Sequence, residues 1–331
     1  MHSTHQVPLT GAPATSRAPI PPATPWRPVV LGLLAVAMFA MTIPMTRVAT
    51  GSPEAPQLPP LLVALGRGAL AALPAALYLG WVRSRRPSRA EWPWLMGVVL
   101  GGVMVFPACM GWAVRQVPAW HASVITGVLP LLTAVLASGW LGQRPSPGFW
   151  WFGGLGMALV LGFALSTSSS LAVGWSGWPD VSLLIGMVGA AVAYVSGARA
   201  AQRRPAPEVM SWALVLALPV TAPGLWWQWS LTTTGWAATV QPQAWWALAY
   251  VALCSSWLGF FAWYAALAQD AMRVSQLQLL QPFGAVFLSA WVLGEQVSAW
   301  APVCALGVAW CVWRGQGHLR RGASPGTGGR P

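Results

Sequence analysis

Long runs of almost uncharged residues, separated by short connections that hold most of the arginines, are what most limits how this chain can fold. Only 7% of the 331 residues are charged, 18 basic and 6 acidic, against roughly 25% in soluble domains. A soluble body of that size could not be covered by so few charges without exposing large apolar patches. Apolar residues make up 56%, and Gly (35), Pro (30) and Trp (24) are abundant, the profile of a helical chain that crosses a bilayer repeatedly. Soluble enzymes, disulfide-stapled secreted scaffolds and disordered chains are poor fits. The net charge of +12 is not gathered on one face, so it points to topology rather than to nucleic acid. Cys109, Cys254, Cys304 and Cys311 lie inside apolar segments without metal-type spacing, which suits small core fillers.

A bilayer core about 30 Å thick needs roughly 20 apolar residues per helix. The runs predict an all-α integral membrane protein with ten transmembrane helices, over 29–49, 60–82, 92–112, 118–140, 149–167, 180–198, 208–229, 244–267, 273–293 and 299–314. Residues 1–28 and 315–331 read as disordered cytoplasmic tails, rich in small residues, Pro and Gly. With both tails inside, fifteen of the 18 arginines fall on the cytoplasmic side, leaving Arg47, Arg67 and Arg115 toward the other. The positive-inside rule supports that even count and that orientation. Trp81, Trp92, Trp151, Trp226 and Trp246 fall at span ends, as an aromatic belt does. Trp112, Trp120, Trp257, Trp263 and Trp291 sit deeper and could instead line a cavity.

The chain also repeats itself. At an offset of 152 residues Pro130 pairs with Pro282, Leu136 with Leu288, Leu141 with Leu293, Gly142 with Gly294 and Ser123 with Ser275. An offset of 151 pairs Leu155 and Gly156 with Leu306 and Gly307. The halves, 29–167 and 180–314, would each hold five spans, so the second must enter the membrane from the opposite side. Inverted repeats of this kind place a site near the midplane at their interface, as alternating-access transporters do.

On these residues the chain resembles the EamA family of the drug/metabolite transporter superfamily. The pattern in each half is a Pro followed by an apolar helix ending in Gly-Glu, matched by Pro282 to Gly294-Glu295 and less fully by Pro130 to Gly142-Gln143. Phe39 to Arg47 is similar to the family's first helix, with Phe39-Ala40 in place of Trp-Gly, and Arg67 stands where the second helix often carries Arg. The resemblance implies a ten-helix secondary transporter in a bacterial inner membrane, exporting a small metabolite such as an amino acid.

Ser123, Thr126 and Pro130 share one face of the fourth span, and Ser275, Gln278 and Pro282 repeat that spacing on the ninth. A Pro within a span frees a backbone carbonyl, which is tolerated where the backbone lines a cavity. These six, with Gln281, Tyr194, Ser256 and Tyr264, are the candidate substrate-cavity residues; helix-to-helix hydrogen bonding is the alternative for each. Arg47, Arg67 and Arg115 are candidates for an outer vestibule that attracts anions, or else snorkel to the interface. Pro44, Pro74 and Pro219 are candidate hinges, or simply kinks that shape packing. Ala64, Gly68, Ala72 and Ala76 on the second span, and Gly97 with Gly101 on the third, form small-residue ladders that would suit an internal seam or a homodimer face.

All six acids (Glu54, Glu91, Asp180, Glu208, Asp270 and Glu295) fall in loops or at span ends, so no mid-membrane carboxylate offers itself as a proton relay. His121 could titrate near neutral pH. No hydrolase, zinc or phosphate-loop motif is present, and no cofactor or metal is expected. A membrane-embedded sensor or enzyme without transport activity remains the rival reading, with a small molecule and the bilayer as partners in either case.

Overall fold

A computed structural model of the chain describes residues 26–117, 119–140, 142, 146–167, 177–232, 236–294 and 301–321. Their regular structure is helical throughout, with no strand among the described residues. Among the described residues seven helical stretches are long and apolar enough to cross a membrane: Arg27–Thr50, Pro60–Trp81, Trp92–Gln116, Trp178–Ala200, Ala206–Ser230, Pro242–Ala271 and Arg273–Leu293. Leu129–Trp140 and Pro302–Arg314 are shorter apolar helices. Seven of the ten expected spans are thus matched at full length among the described residues, and the fourth is interrupted just before Pro130.

The first stretch is two helices, α1 (Arg27–Ala40) and α2 (Thr42–Thr50), joined at Met41. Pro44 has no N–H to give the carbonyl of Ala40, so the ladder breaks there. α3 (Pro60–Trp81) and α10 (Ala206–Ser230) instead run on through Pro74 and through Pro219 and Pro223. The third stretch holds α4 (Trp92–Gly97), a π-helical segment Val98–Val105 and α5 (Phe106–Gln116). The fourth predicted span is split into α6 (Ala119–Thr126) and α7 (Leu129–Trp140) just before Pro130. α8 (Pro147–Thr167) and α9 (Trp178–Ala200) follow.

Beyond α10 come α11 (Trp236–Thr239), α12 (Pro242–Tyr250), a second π-helical segment Val251–Leu258, and α13 (Gly259–Leu277). The two π segments are eight residues each and lie 153 residues apart, which extends the repeat seen in the sequence. In each, one N–H reaches five residues back, Phe106 to Gly101 and Gly259 to Cys254; such bulges are rare and gather at functional sites. α13 kinks at Asp270, whose carboxylate accepts the Arg273 N–H at 3.0 Å and so caps the next helical run. A 3-10 turn, Gln278–Leu280, then leads into α14 (Gln281–Leu293), and α15 (Ala301–Arg321) continues seven residues past the predicted tenth span.

The small-residue ladders lie inside the bundle. Ala64, Gly68 and Ala72 are buried, and Gly68 faces Thr221 of α10 and Val103; Ala76 is exposed. Gly97 and Gly101 pack against Ser196 and the Gly189 backbone of α9. Large apolar side chains such as Leu77, Trp81, Trp226 and Trp246 cover the outer surface, as lipid contact requires. Trp112 and Trp291 also point outward, Trp257 donates to Ser211 at 2.9 Å, and the side chain of Trp120 lies outside the described residues. Of the four deeper tryptophans whose side chains are described, only Trp263 is packed into the centre.

One end of the bundle is tied by charge. Arg204 grips both oxygens of Glu91 at 3.1 Å, and both side chains are about 1% exposed. Arg85 adds a longer contact to Glu91, while Glu208 accepts from Ser84. This joins the loop after α3 to the loop after α9, and therefore one half of the chain to the other. Burial pushes the Glu91 carboxyl up, but the hydrogen bonds from Arg204 and Ser88 outweigh it and hold the group at about 2. A carboxyl depressed on folding stabilises fully above its unfolded value near 4.5, and that stabilisation drains away as the pH falls toward 2. Thermal unfolding in detergent is expected to show the wild type losing stability below about pH 4.5. Glu91→Ala, which leaves Arg204 buried and unpaired, is expected to cost about 3–5 kcal/mol at neutral pH and to flatten that acid limb.

Candidate functional site

Arg67 lies seven residues into α3, roughly 10 Å along its axis, and is 4% exposed. Its Nε donates to Ser256 Oγ at 2.6 Å and one terminal nitrogen donates to Ser255 Oγ at 3.2 Å. Both serines belong to the second π segment, whose local widening brings two consecutive hydroxyls to the same guanidinium. Ser256 passes its own proton to the Val251 carbonyl (2.7 Å), and Ser255 shares a hydrogen bond with Thr42 of α2 at 2.8 Å. Arg67 is therefore held by neutral oxygens, and it makes no ion pair among the described residues. An unpaired cation deep in a span costs a few kcal/mol at least, so its position calls for an explanation beyond folding.

Arg67 opens on a small cavity. Thr42, Thr126, Tyr194, Ser255 and Gln281 line it with Arg67, and Phe39, Ile43, Phe106, Met110, Leu129, Met187 and Phe260 supply the apolar wall. The free space is about 20 Å³, enough for about one water and far below the roughly 300 Å³ of an open ligand pocket. Phe39, Phe260, Tyr194 and Trp263 pack ring against ring around one side, with centroids 5.0–6.0 Å apart; Phe39 and Phe260 are tilted and the other pairs meet edge to face. Gln278 donates to the Tyr194 hydroxyl at 3.0 Å and to Gln281 Oε1 at 3.3 Å, while its own carbonyl oxygen is buried without a partner.

Both halves of the chain contribute, and in related ways. Pro130 and Pro282 lack the N–H that would bond the residues four before them, Thr126 and Gln278. These occupy repeat-equivalent positions at the helix breaks, one lining the cavity and one behind it. Thr126 Oγ1 donates to the Ser123 carbonyl and Ser123 to the Ala119 carbonyl, so both hydroxyl protons stay within α6. Ser275 is buried on the opposite repeat.

The other sequence candidates lie elsewhere. Arg47 donates to the carbonyls of Val114 and Arg115 at the end of α5 (2.5 and 3.1 Å), a helix-terminal tie, and Arg115 is half-buried outside the cavity. Of the three arginines only Arg67 reaches the centre. Tyr264 is wholly buried, donates to the Ala193 carbonyl at 3.3 Å and packs closely against Gly197, outside the cavity lining. His121 and Asp180 meet at 2.7 Å and join α6 to α9. Gln143 and Glu295, the ends of the two Pro-to-Gly patterns, lie outside the described residues. The sequence reading missed Thr42, Phe39 and Phe260 as wall residues. Thr42, Thr46 and Thr50 at four-residue spacing were the available signal, but only the packing of α2 beside the second π segment gives Thr42 its role.

Residues 26–165 and 177–312 each match the EamA-like transporter family, so the duplication follows the family's own unit. An uncharacterized transporter, YdeK, of Bacillus subtilis (strain 168) is 37% identical over 283 residues, covering 85% of this chain and 94% of that one. A probable terminal-alkyne amino-acid exporter of Streptantibioticus cattleyicolor is 26% identical over 283 residues, covering 80% and 88%. A solved crystal structure superposes with a TM-score of 0.65 at 18% identity, covering 90% of this chain and 99% of its own; that likeness concerns the fold alone.

Proposed function

Since this chain belongs to the EamA-like transporter family, we propose that it is a secondary transporter that exports a small carboxylate-bearing metabolite, an amino acid or related compound, by alternating access. In this reading the helices form ten spans, as two inverted five-helix repeats, with both tails cytoplasmic in a bacterial inner membrane. The cavity around Arg67 is the central substrate site, seen closed. Thr126, Tyr194, Ser256, Gln278 and Gln281 shape it, Ser123 and Ser275 brace its two helices, and Pro130 and Pro282 break them. Pro44, Pro74 and Pro219 are the flexing points as access alternates.

The observation that carries this reading is the buried Arg67, which pairs with no acid among the described residues, in a cavity walled by both halves of the chain. A carboxylate would give it the bidentate partner that the protein itself withholds. The relative described as a probable terminal-alkyne amino-acid exporter supports the substrate class. Counterflow in proteoliposomes, across a panel of amino acids and related carboxylates, tests it. At least one solute is expected to exchange, and Gln278→Leu is expected to abolish exchange without lowering the amount of protein in the membrane. Failure of every solute to exchange would refute the transport reading; exchange undiminished in Gln278→Leu would remove Gln278 from the site.

A further inference from the structure

We infer that the cavity is matched to a monoanion, a carboxylate on a compact apolar body with no ammonium group beside it. This rests on the transporter reading above and narrows its substrate from amino acids and related compounds to the related compounds that carry the carboxylate without the ammonium.

The argument is a balance of charge and of hydrogen-bond direction. Five of the six acids are accounted for away from the cavity: Glu91 and Glu208 in the ionic tie at one end, Asp180 on His121, Asp270 on the Arg273 N–H, and Glu54 exposed in the loop before α3. Glu295 lies outside the described residues. Among the described residues the cavity lining holds one full charge, that of Arg67, and it is positive.

The neutral groups point the same way. The Tyr194 oxygen and Gln281 Oε1 both accept from Gln278, which leaves the phenol proton and the Gln281 amide nitrogen to be offered to a ligand. Ser255 and Ser256 turn their oxygens to Arg67, and Thr126 spends its proton on the Ser123 carbonyl. The orphaned acceptor, Gln278 Oε1, is fully buried in this state.

An incoming carboxylate meets a guanidinium and two neutral donors, and the loaded site has no net charge. A zwitterion leaves the loaded site at +1, because its ammonium finds only carbonyl and hydroxyl dipoles, which solvate a charge without cancelling it. A cation adds to the charge already there. The aromatic side formed by Phe39, Phe260 and Tyr194 then suits an apolar body packed edge to face.

Three solutes with the same phenyl body test this on the unmodified protein: phenyllactate (anion), phenylalanine (zwitterion) and phenethylamine (cation). Proteoliposome counterflow at neutral pH is expected to favour phenyllactate at least tenfold over phenylalanine, with phenethylamine lowest. Equal or better exchange of phenylalanine would overturn the proposal while leaving the transporter reading intact. If none of the three exchanges but another carboxylate does, the apolar-body part falls. If no solute at all exchanges, the transporter reading falls and takes this with it. Arg67→Gln is expected to level the anion's advantage, and Arg67→Lys to keep part of it; an advantage unchanged in Arg67→Gln would also overturn the assignment.

Discussion

Arg67→Met is expected to abolish transport and to raise thermal stability at the same time. Transport should fall at least about 100-fold, on the scale of the 2–5 kcal/mol lost when one partner of a buried charge pair is removed. Stability should rise, because the empty site holds a buried cation among neutral hydroxyls only. Its loss strands nothing, since Ser256 keeps the Val251 carbonyl and Ser255 keeps Thr42. Replacing a buried ion pair by apolar side chains of similar volume often gains about 1–4 kcal/mol, and a cation with no ion partner has still less attraction to lose; functional sites commonly carry strain of this kind. Paired measurements of counterflow and of thermal unfolding in detergent check it. A variant that unfolds earlier would show that Arg67 serves the fold, and one that transports normally would remove it from the site.

The second large effect concerns packing. A Cβ at Gly101 would be driven into the backbone carbonyl of Gly189 on α9, and neither backbone can step aside without parting the two helices. Gly101 also sits in the first π segment and accepts the N–H of Phe106. Gly101→Ala is expected to cost at least about 3 kcal/mol, in the range reserved for steric conflict in a packed core, and to leave little folded protein in the membrane. Gly154→Ala on α8, where an added Cβ meets nothing within 4 Å, should be neutral or gain up to about 1 kcal/mol from helix propensity. Similar yields from the two variants would mean that the α9 seam is looser than described.

How much of this could be read in the sequence varies from element to element. The breaks before Pro130 and Pro282 were legible, because a missing N–H is a local chemical fact. The repeat was legible as well, since Pro130 and Pro282, and Gly142 and Gly294, keep a constant spacing. The π segments were not: Val98–Val105 and Val251–Leu258 read as ordinary apolar helix, and one residue of extra winding leaves no mark on composition. Arg47, Arg67 and Arg115 looked alike on paper. Only the packing separates a helix-end tie and a half-buried surface arginine from a guanidinium sealed beside Ser255 and Ser256. Pairings such as Glu91 with Arg204 and His121 with Asp180 span 113 and 59 residues, separations that no local pattern encodes.

By itself, then, the sequence determined the solvent this protein lives in, its helical class and its twofold plan. Those follow from hydropathy, charge placement and spacing, which are properties of the chain read in order. Which arginine is buried, which hydroxyls hold it, and that no acid among the described residues answers it were decided only by tertiary structure. The energy of a buried charge depends on every group brought within a few ångströms of it, from whichever part of the chain they come.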